Sequence, residues 1–387
     1  MSAFRVAVRA FPPFESAIRK QWESFESRAR TGLRLEAVPL DLDPLHAALF
    51  SPSAETWDAA FVVTDWIAEA AASNALLDLA PYLARGAPEG YPDAWTPSLL
   101  RFQQVGSRVL GLPCHDGPEC LIYRKDLFGD AGLTPPETWE EFHRIARRLN
   151  CPPENRYGTV FAAYPDGHNT VYDFCLQLWS RGGELFDPAG HPRLDTEAAR
   201  EALRFYRRIL RDRSAVHPRS AEFDSVKSGY AFAAGEVALM VNWFGFAAMC
   251  ETSPDSKVRG KVAVAGLPAG VSLNVYWILS IPARCARPDV SWRFLRHCAS
   301  PEMDKLLTLE GGIGCRKSTW MDAQVNRAIP FYREMERLHA GARELPRMAE
   351  WSRIASVIDA LVLEAIGGDR PEAELLAEAQ ERIGNTL

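Results

Sequence analysis

At 387 residues the chain exceeds what one hydrophobic core usually organises, and 47% hydrophobic residues are enough for two lobes. A formal charge of -6 and a pI near 5.8 leave no basic footprint for nucleic acid. The longest apolar stretch, residues 59–80, is interrupted by Asp65, Glu69 and Asp78, so no segment is expected to span a membrane. No internal repeat or low-complexity tract is present.

Phe4, Val6 and Val8 alternate with Arg5, Ala7 and Arg9, which predicts a strand at the start of the chain and not the apolar core of an export signal. A mature domain whose signal has been removed is the expectation, with a cytoplasmic protein as the alternative. A helix follows with Pro12 and Pro13 in its first turn, and Phe14, Ala17, Ile18, Trp22 and Phe25 form one face. A strand from Leu33 to Val38, a short helix from Pro44 to Phe50 and a strand from Ala59 to Val63 complete a βαβαβ unit. Such a unit implies a mostly parallel sheet flanked by helices.

A second series begins beyond Pro113. Leu121, Ile122 and Tyr123 form a short apolar strand, preceded by an irregular loop that contains Gly117 and Pro118. Thr138 with Glu141 three residues on is a capping box, and Phe142, Ile145, Ala146 and Leu149 recur at helical spacing behind it. A strand from Tyr157 to Phe161, helices from Thr170 to Ser180 and from Thr196 to Leu210, and a strand from Val237 to Asn242 follow. Two α/β lobes are therefore expected.

Eight cysteines are present. Cys114 and Cys120 flank the HDGPE loop, where a bridge would suit an oxidising compartment, whereas Cys175, Cys250 and Cys298 sit at apolar helical positions that suit buried free thiols. Spacing does not choose among the pairings. There is no CxxC or HxxxH, so no metal is expected. No GxSxG, phosphate loop or GxGxxG occurs, and Cys114 and His115 would point to opposite faces of a strand. Neither an enzyme nor a cofactor is expected.

The run from Gly111 to Leu149 joins Gly111, Leu112 and Pro113 to a loop. It continues through an apolar strand ending Tyr123, Arg124, Lys125 and Asp126, then Pro135, Pro136, Thr138, Trp139, Glu140 and Glu141. In this order it resembles the centre of an extracellular solute-binding protein of the maltodextrin-binding type, family 1 of the ABC importers. The Gly-Gly turn and helix of residues 181–210, FAAGEVALMVNW at 232–243, GLPAGVSLNVYWILSI at 266–281 and GGIGCRKSTW at 311–320 extend the resemblance from about Phe4 to Trp320.

The resemblance implies a two-lobed periplasmic-binding-protein-like fold of class II type, each lobe a mostly parallel sheet with flanking helices and a ligand cleft between lobes. Residues 1–112 and 274–314 would form lobe one, and 113–273 and 315–387 lobe two, with hinge crossings near 109–114, 267–273 and 313–317. Ligands in open α/β sheets lie beyond the carboxyl ends of strands, which directs attention to the residues at those ends. Asp65 and Trp66 end one strand; Asp65 matches the family's acidic ligand contact or else caps the next helix. His115 and Asp116 occupy the family's ligand loop, and a carboxylate with a neutral histidine suits a polyol. Tyr164, Asp166 and His168 are the lobe-two counterparts or a plain turn. Trp243, flanked by Asn242 and Phe244, could offer a flat face to a sugar ring. Asn274 and Tyr276 share one strand face and Trp277 takes the other, which favours the first two. Arg316 would grip a carboxylate or hydroxyls at the third crossing, or pair with an acidic neighbour.

The resulting expectation is a monomeric binding component of an ABC importer. It would close over a small polar ligand, a sugar or sugar derivative, and present it to permease subunits outside the cytoplasm. The alternatives are a cytoplasmic ligand sensor of the same fold and a binder of a non-sugar solute such as an amine, phosphodiester or organic acid.

Overall fold

A computed structural model describes residues 2–51 and 55–387. The chain divides into two compact units. The first comprises Met1–Gly117, Val275–Met335 and Leu345–Ala349; the second comprises Pro118–Asn274, Glu336–Glu344 and Glu350–Leu387. The division places residues 315–335 in the first unit, whereas the sequence reading assigned them to lobe two. The buried Asp304 carboxylate explains the difference, because it accepts from the amides of Cys315 and Arg316 and from the Thr319 hydroxyl, while Lys305 pairs with Asp322 at 2.9 Å. Passages between units fall at 117/118, 274/275 and 335/336, with the short excursion of 345–349 near the end.

The first unit is built on a five-stranded sheet in the order Arg34–Leu40, Ala3–Arg9, Ala59–Val63, Trp277–Ser280, Leu112–His115. The first three strands run parallel, and Trp277–Ser280 lies antiparallel to both of its neighbours. All five residues of Ala59–Val63 are buried, as a central strand requires. Helix Pro12–Ala29 covers one face with Phe14, Ala17, Ile18, Trp22 and Phe25. Trp22 stacks on Phe4 at 4.5 Å and meets Phe294 edge-on at 5.2 Å, which joins the helix to Pro288–Cys298. Truncation of so fully enclosed a ring as Phe4 would cost on the order of 3 to 5 kcal/mol.

The second unit departs from the expected mostly parallel sheet. Strand Glu119–Arg124 is the centre of a three-stranded ladder and pairs antiparallel with both Leu239–Trp243 and Val262–Ala265. Among the described residues of this unit, parallel pairing is confined to the short ladder of Ser272–Leu273 with Ala342–Arg343 and to single bridges, Tyr157 with Val237 and Thr159 with Val216, so the expected strand from Tyr157 to Phe161 adds isolated bridges beside the three-stranded ladder. Apolar runs mark where strands form, but polarity depends on which distant segment supplies the partner.

Helix Trp139–Leu149 is capped as the sequence predicts. The Thr138 hydroxyl accepts from the Glu141 amide at 3.2 Å, and the Glu141 carboxylate reaches the Glu137 amide at 3.1 Å, one residue before the cap. The helix lies so close to Gly158 that a Cβ there would overlap the Ala146 carbonyl. Helix Asn169–Trp179 is buried along almost its whole length and is covered by Glu197–Leu210 and Trp351–Gly367. Among the described residues no helix is long and apolar enough to cross a membrane.

Candidate functional site

In the first unit the chemistry-bearing side chains gather at the sheet end where Ala59–Val63 and Leu112–His115 finish and Trp277–Ser280 begins. Trp277 pairs with Val63 on one side and His115 on the other, which puts the indole and the imidazole on one face of the sheet. Phe14 touches both rings, at 4.5 Å to His115 and 6.2 Å to Trp277. His115 Nδ1 accepts the Ile313 amide at 2.9 Å. Burial lowers the His115 pKa to about 3 despite the opposing pull of Asp116, so the ring is neutral. Asp65 and Trp66 lie in the short turn Thr64–Trp66, and the helix after it has its N-cap at Trp66 with no side-chain cap. Trp66 is 3% exposed and packs edge-on against His46 at 5.1 Å.

In the second unit the corresponding feature is Trp243, half-buried at the end of its strand, with Tyr172 edge-on at 5.7 Å. His168 lies 5.9 Å from Tyr172, and its Nδ1 donates to the Asp166 carbonyl at 2.7 Å. The Asp166 carboxylate accepts from the His168 amide, so the 164–169 loop is an Asx turn that starts helix Asn169–Trp179. Tyr164 is exposed and lies beneath Lys227, 5.4 Å from its ammonium group.

Residues 48–305 match the family model of bacterial extracellular solute-binding proteins. The chain belongs to this family. A mannitol-binding protein of Pseudomonas aeruginosa is 26% identical over 330 residues, 78% of this chain and 75% of that one. The maltose-bound MalE3 of T. maritima matches the fold with a TM-score of 0.91 at 22% identity, over 100% of both chains. An ABC transporter solute-binding protein of Agrobacterium radiobacter K84 in complex with ribitol gives a TM-score of 0.91 at 24% identity, over 100% of this chain and 99% of that one. The two-lobed α/β fold of solute-binding proteins follows from these matches.

Several residues expected at the site of this solute-binding protein are buried or held by internal hydrogen bonds. Tyr276 is fully buried and its hydroxyl donates to the Leu99 carbonyl. Residues 274–276 precede the strand, so strand alternation does not apply to them, and Trp277 presents the open ring instead. Arg316 is buried, with Nη1 donating to Ala299 O and Nη2 to Glu89 O, both at 2.9 Å, and its guanidinium over Trp95. Both terminal nitrogens are thus engaged by main-chain carbonyls. Phe244 is a core side chain and Asp116 is 1% exposed. Asn242 donates to Ser225 O at 3.0 Å and accepts the Trp243 amide at 2.8 Å, which orients the tryptophan from behind. Asn274 is buried, and its backbone amide donates to Arg343 O at 3.0 Å.

The structure also brings forward groups the sequence reading passed over. His46 and Glu69 form a half-buried pair at 3.0 Å beside Phe50 and Trp66. Phe14 was legible as a helix-face residue and Tyr172 lies unmarked within the expected helix from Thr170 to Ser180, and nothing in their spacing marks them as ring partners of Trp277 and Trp243. Beside Trp243, its cross-strand partner Glu119 is 4% exposed. The neighbouring Asp173 accepts the Tyr206 hydroxyl at 2.6 Å.

Proposed function

We propose that this chain is the binding component of an ABC importer that captures an uncharged polyol or small sugar outside the cytoplasm. It would act as a monomer that closes its two lobes over the ligand and hands it to permease subunits, with no chemistry performed on it. One observation carries the reading: each unit holds one half-buried indole beside a histidine, Trp277 with His115 and Trp243 with the Tyr172–His168 pair. A flat apolar face next to hydrogen-bonding groups suits the C–H and O–H surfaces of a polyhydroxyl chain or ring. The mannitol-binding relative and the ribitol-bound neighbour support the ligand class. Closure would shift a two-state population by contacts made from both lobes.

Thermal unfolding of the full chain against a panel of hexitols, pentitols, mono- and disaccharides, uronates and amines tests the reading. At a hundred times Kd a ligand adds about 2.7 kcal/mol to stability. The expected result is a concentration-dependent rise in Tm with a polyol or neutral sugar and recovery of that ligand unchanged. Stabilisation by an amine or uronate alone, or turnover of the bound compound, would overturn it.

A further inference from the structure

We infer that the Ile313 amide locks His115 as its Nε2–H tautomer, so that this ring meets the ligand only as a hydrogen-bond donor and selects a hydroxyl oxygen over a cationic group. The inference rests on the reading that a ligand meets the Trp277 face. An amide N–H can only donate, so the ring nitrogen 2.9 Å away must supply a lone pair. A proton at Nδ1 would set two hydrogens against each other. The single ring proton of the neutral form is therefore at Nε2, and an imidazolium is disfavoured by the same contact.

The amide is itself fixed. The Ile313 carbonyl accepts the Asp116 amide at 3.0 Å, while the Gly314 amide donates to the Thr308 hydroxyl at 2.9 Å. The Cys315 amide donates to Asp304 Oδ1 at 2.8 Å, and the Trp320 indole donates to Gly314 O at 2.8 Å. A Cβ at Gly314 would collide with the Asp304 carboxylate, so only glycine lets the turn sit this close to its anchor. Asp304 is thus a positioning residue: it holds the turn that holds the histidine. The side chains set against the ring from other elements, Phe14 and Trp277, carry no charge, and Asp116 is the charged group that acts on it.

This assignment bears on the ligand. A donor-only group gains from an alcohol or ether oxygen and opposes an ammonium, which has hydrogens and no lone pair. Arg316 has both terminal nitrogens bonded to main-chain carbonyls, and His115 with Trp277 sets a neutral donor beside an aromatic face, a combination suited to an uncharged polyhydroxyl solute.

Two measurements on the full chain test it. In the ligand-free protein labelled with nitrogen-15, long-range proton-nitrogen spectra should show His115 with a bare Nδ1 and a protonated Nε2, unchanged between about pH 5 and pH 8. A protonated Nδ1, or a titration within that window, would overturn the inference. Titration calorimetry with D-mannitol and ribitol then compares two variants. His115→Asn keeps an acceptor for Ile313 but has no atom at the Nε2 position, and should lose roughly tenfold in affinity, the scale of one hydrogen bond. His115→Gln places an amide N–H near that position and should retain most of the affinity. Equal losses in both variants, or wild-type affinity in His115→Asn, would overturn donation to the ligand. If neither polyol binds the wild-type chain, the polyol reading fails, while the spectrum still decides the tautomer.

Discussion

Trp277 lies directly across the sheet from His115, and the two rings leave the same face against Phe14. The residue before it behaves oppositely, since Tyr276 is buried and bonded to Leu99. Adjacent substitutions should therefore separate binding from folding. Trp277→Ala is expected to weaken polyol affinity by tenfold or more, on the order of 1.5 kcal/mol, because the aromatic face is lost. Tyr276→Phe should leave affinity unchanged and cost about 1 to 3 kcal/mol of stability, because it orphans a buried carbonyl. Calorimetry and urea unfolding read the two effects. A Tyr276→Phe protein with weakened affinity and unaltered stability would reverse the assignment.

That inversion shows where sequence reasoning stops. Helix Trp139–Leu149 was legible because its cap and its apolar face are both local, set by Thr138, Glu141 and residues three and four apart. Strand Ala59–Val63 was legible as an apolar run bounded by Asp58 and Asp65. The choice between Tyr276 and Trp277 turned on where a strand begins, a boundary that periodicity fixes poorly. For Arg316 the sequence leaves a ligand grip and an internal pairing both open, because its partners, the carbonyls of Glu89 and Ala299 and the face of Trp95, are distant in sequence or lack any charge that could announce them. Antiparallel pairing in the second unit was hidden for the same reason: partners far along the chain decide it.

All eight cysteines are free thiols, and Cys114 and Cys120, which flank one loop in the sequence, lie in different units. Burial raises the pKa of both thiols, which disfavours the reactive thiolate. Alkylation in denaturant without reductant should therefore add eight adducts by intact mass, and in native buffer far fewer. A mass two hydrogens lower, with two adducts missing, would show one bridge.

Asp212 accepts from His143 Nε2 and from the Ser214 hydroxyl, both at 2.6 Å, and from Arg147. These bonds hold its carboxyl below the usual range, with burial opposing them. A folded-state pKa below the unfolded value of about 4 stabilises fully above that value and progressively less as pH falls through it. Asp212→Asn should cost on the order of 2 kcal/mol near neutral pH, and the difference from wild type should shrink toward about pH 3. Urea unfolding at several pH values reads this. A difference that stays constant with pH would assign the cost to packing and not to charge.

The opposite slope is expected from the acid pair beside Trp243. Glu119 and Asp173 are both raised by burial, and the charge of Asp173 adds to the rise at Glu119. Among the described residues Glu119 Oε2 is buried without a hydrogen-bond partner. Where the folded pKa exceeds the unfolded one, the native state holds the proton longer, and stability falls as pH rises from the unfolded value of about 4 through the raised one. Asp173→Asn removes that charge while its amide oxygen can still accept the Tyr206 hydroxyl. The variant should lose less Tm than wild type between about pH 6 and pH 8.5, with Glu119→Gln acting in the same direction. Thermal unfolding of the three proteins at both pH values decides it. Equal slopes in all three would mean that neither carboxyl titrates in that window, and the pair would then have no part in the protein's response to alkaline pH.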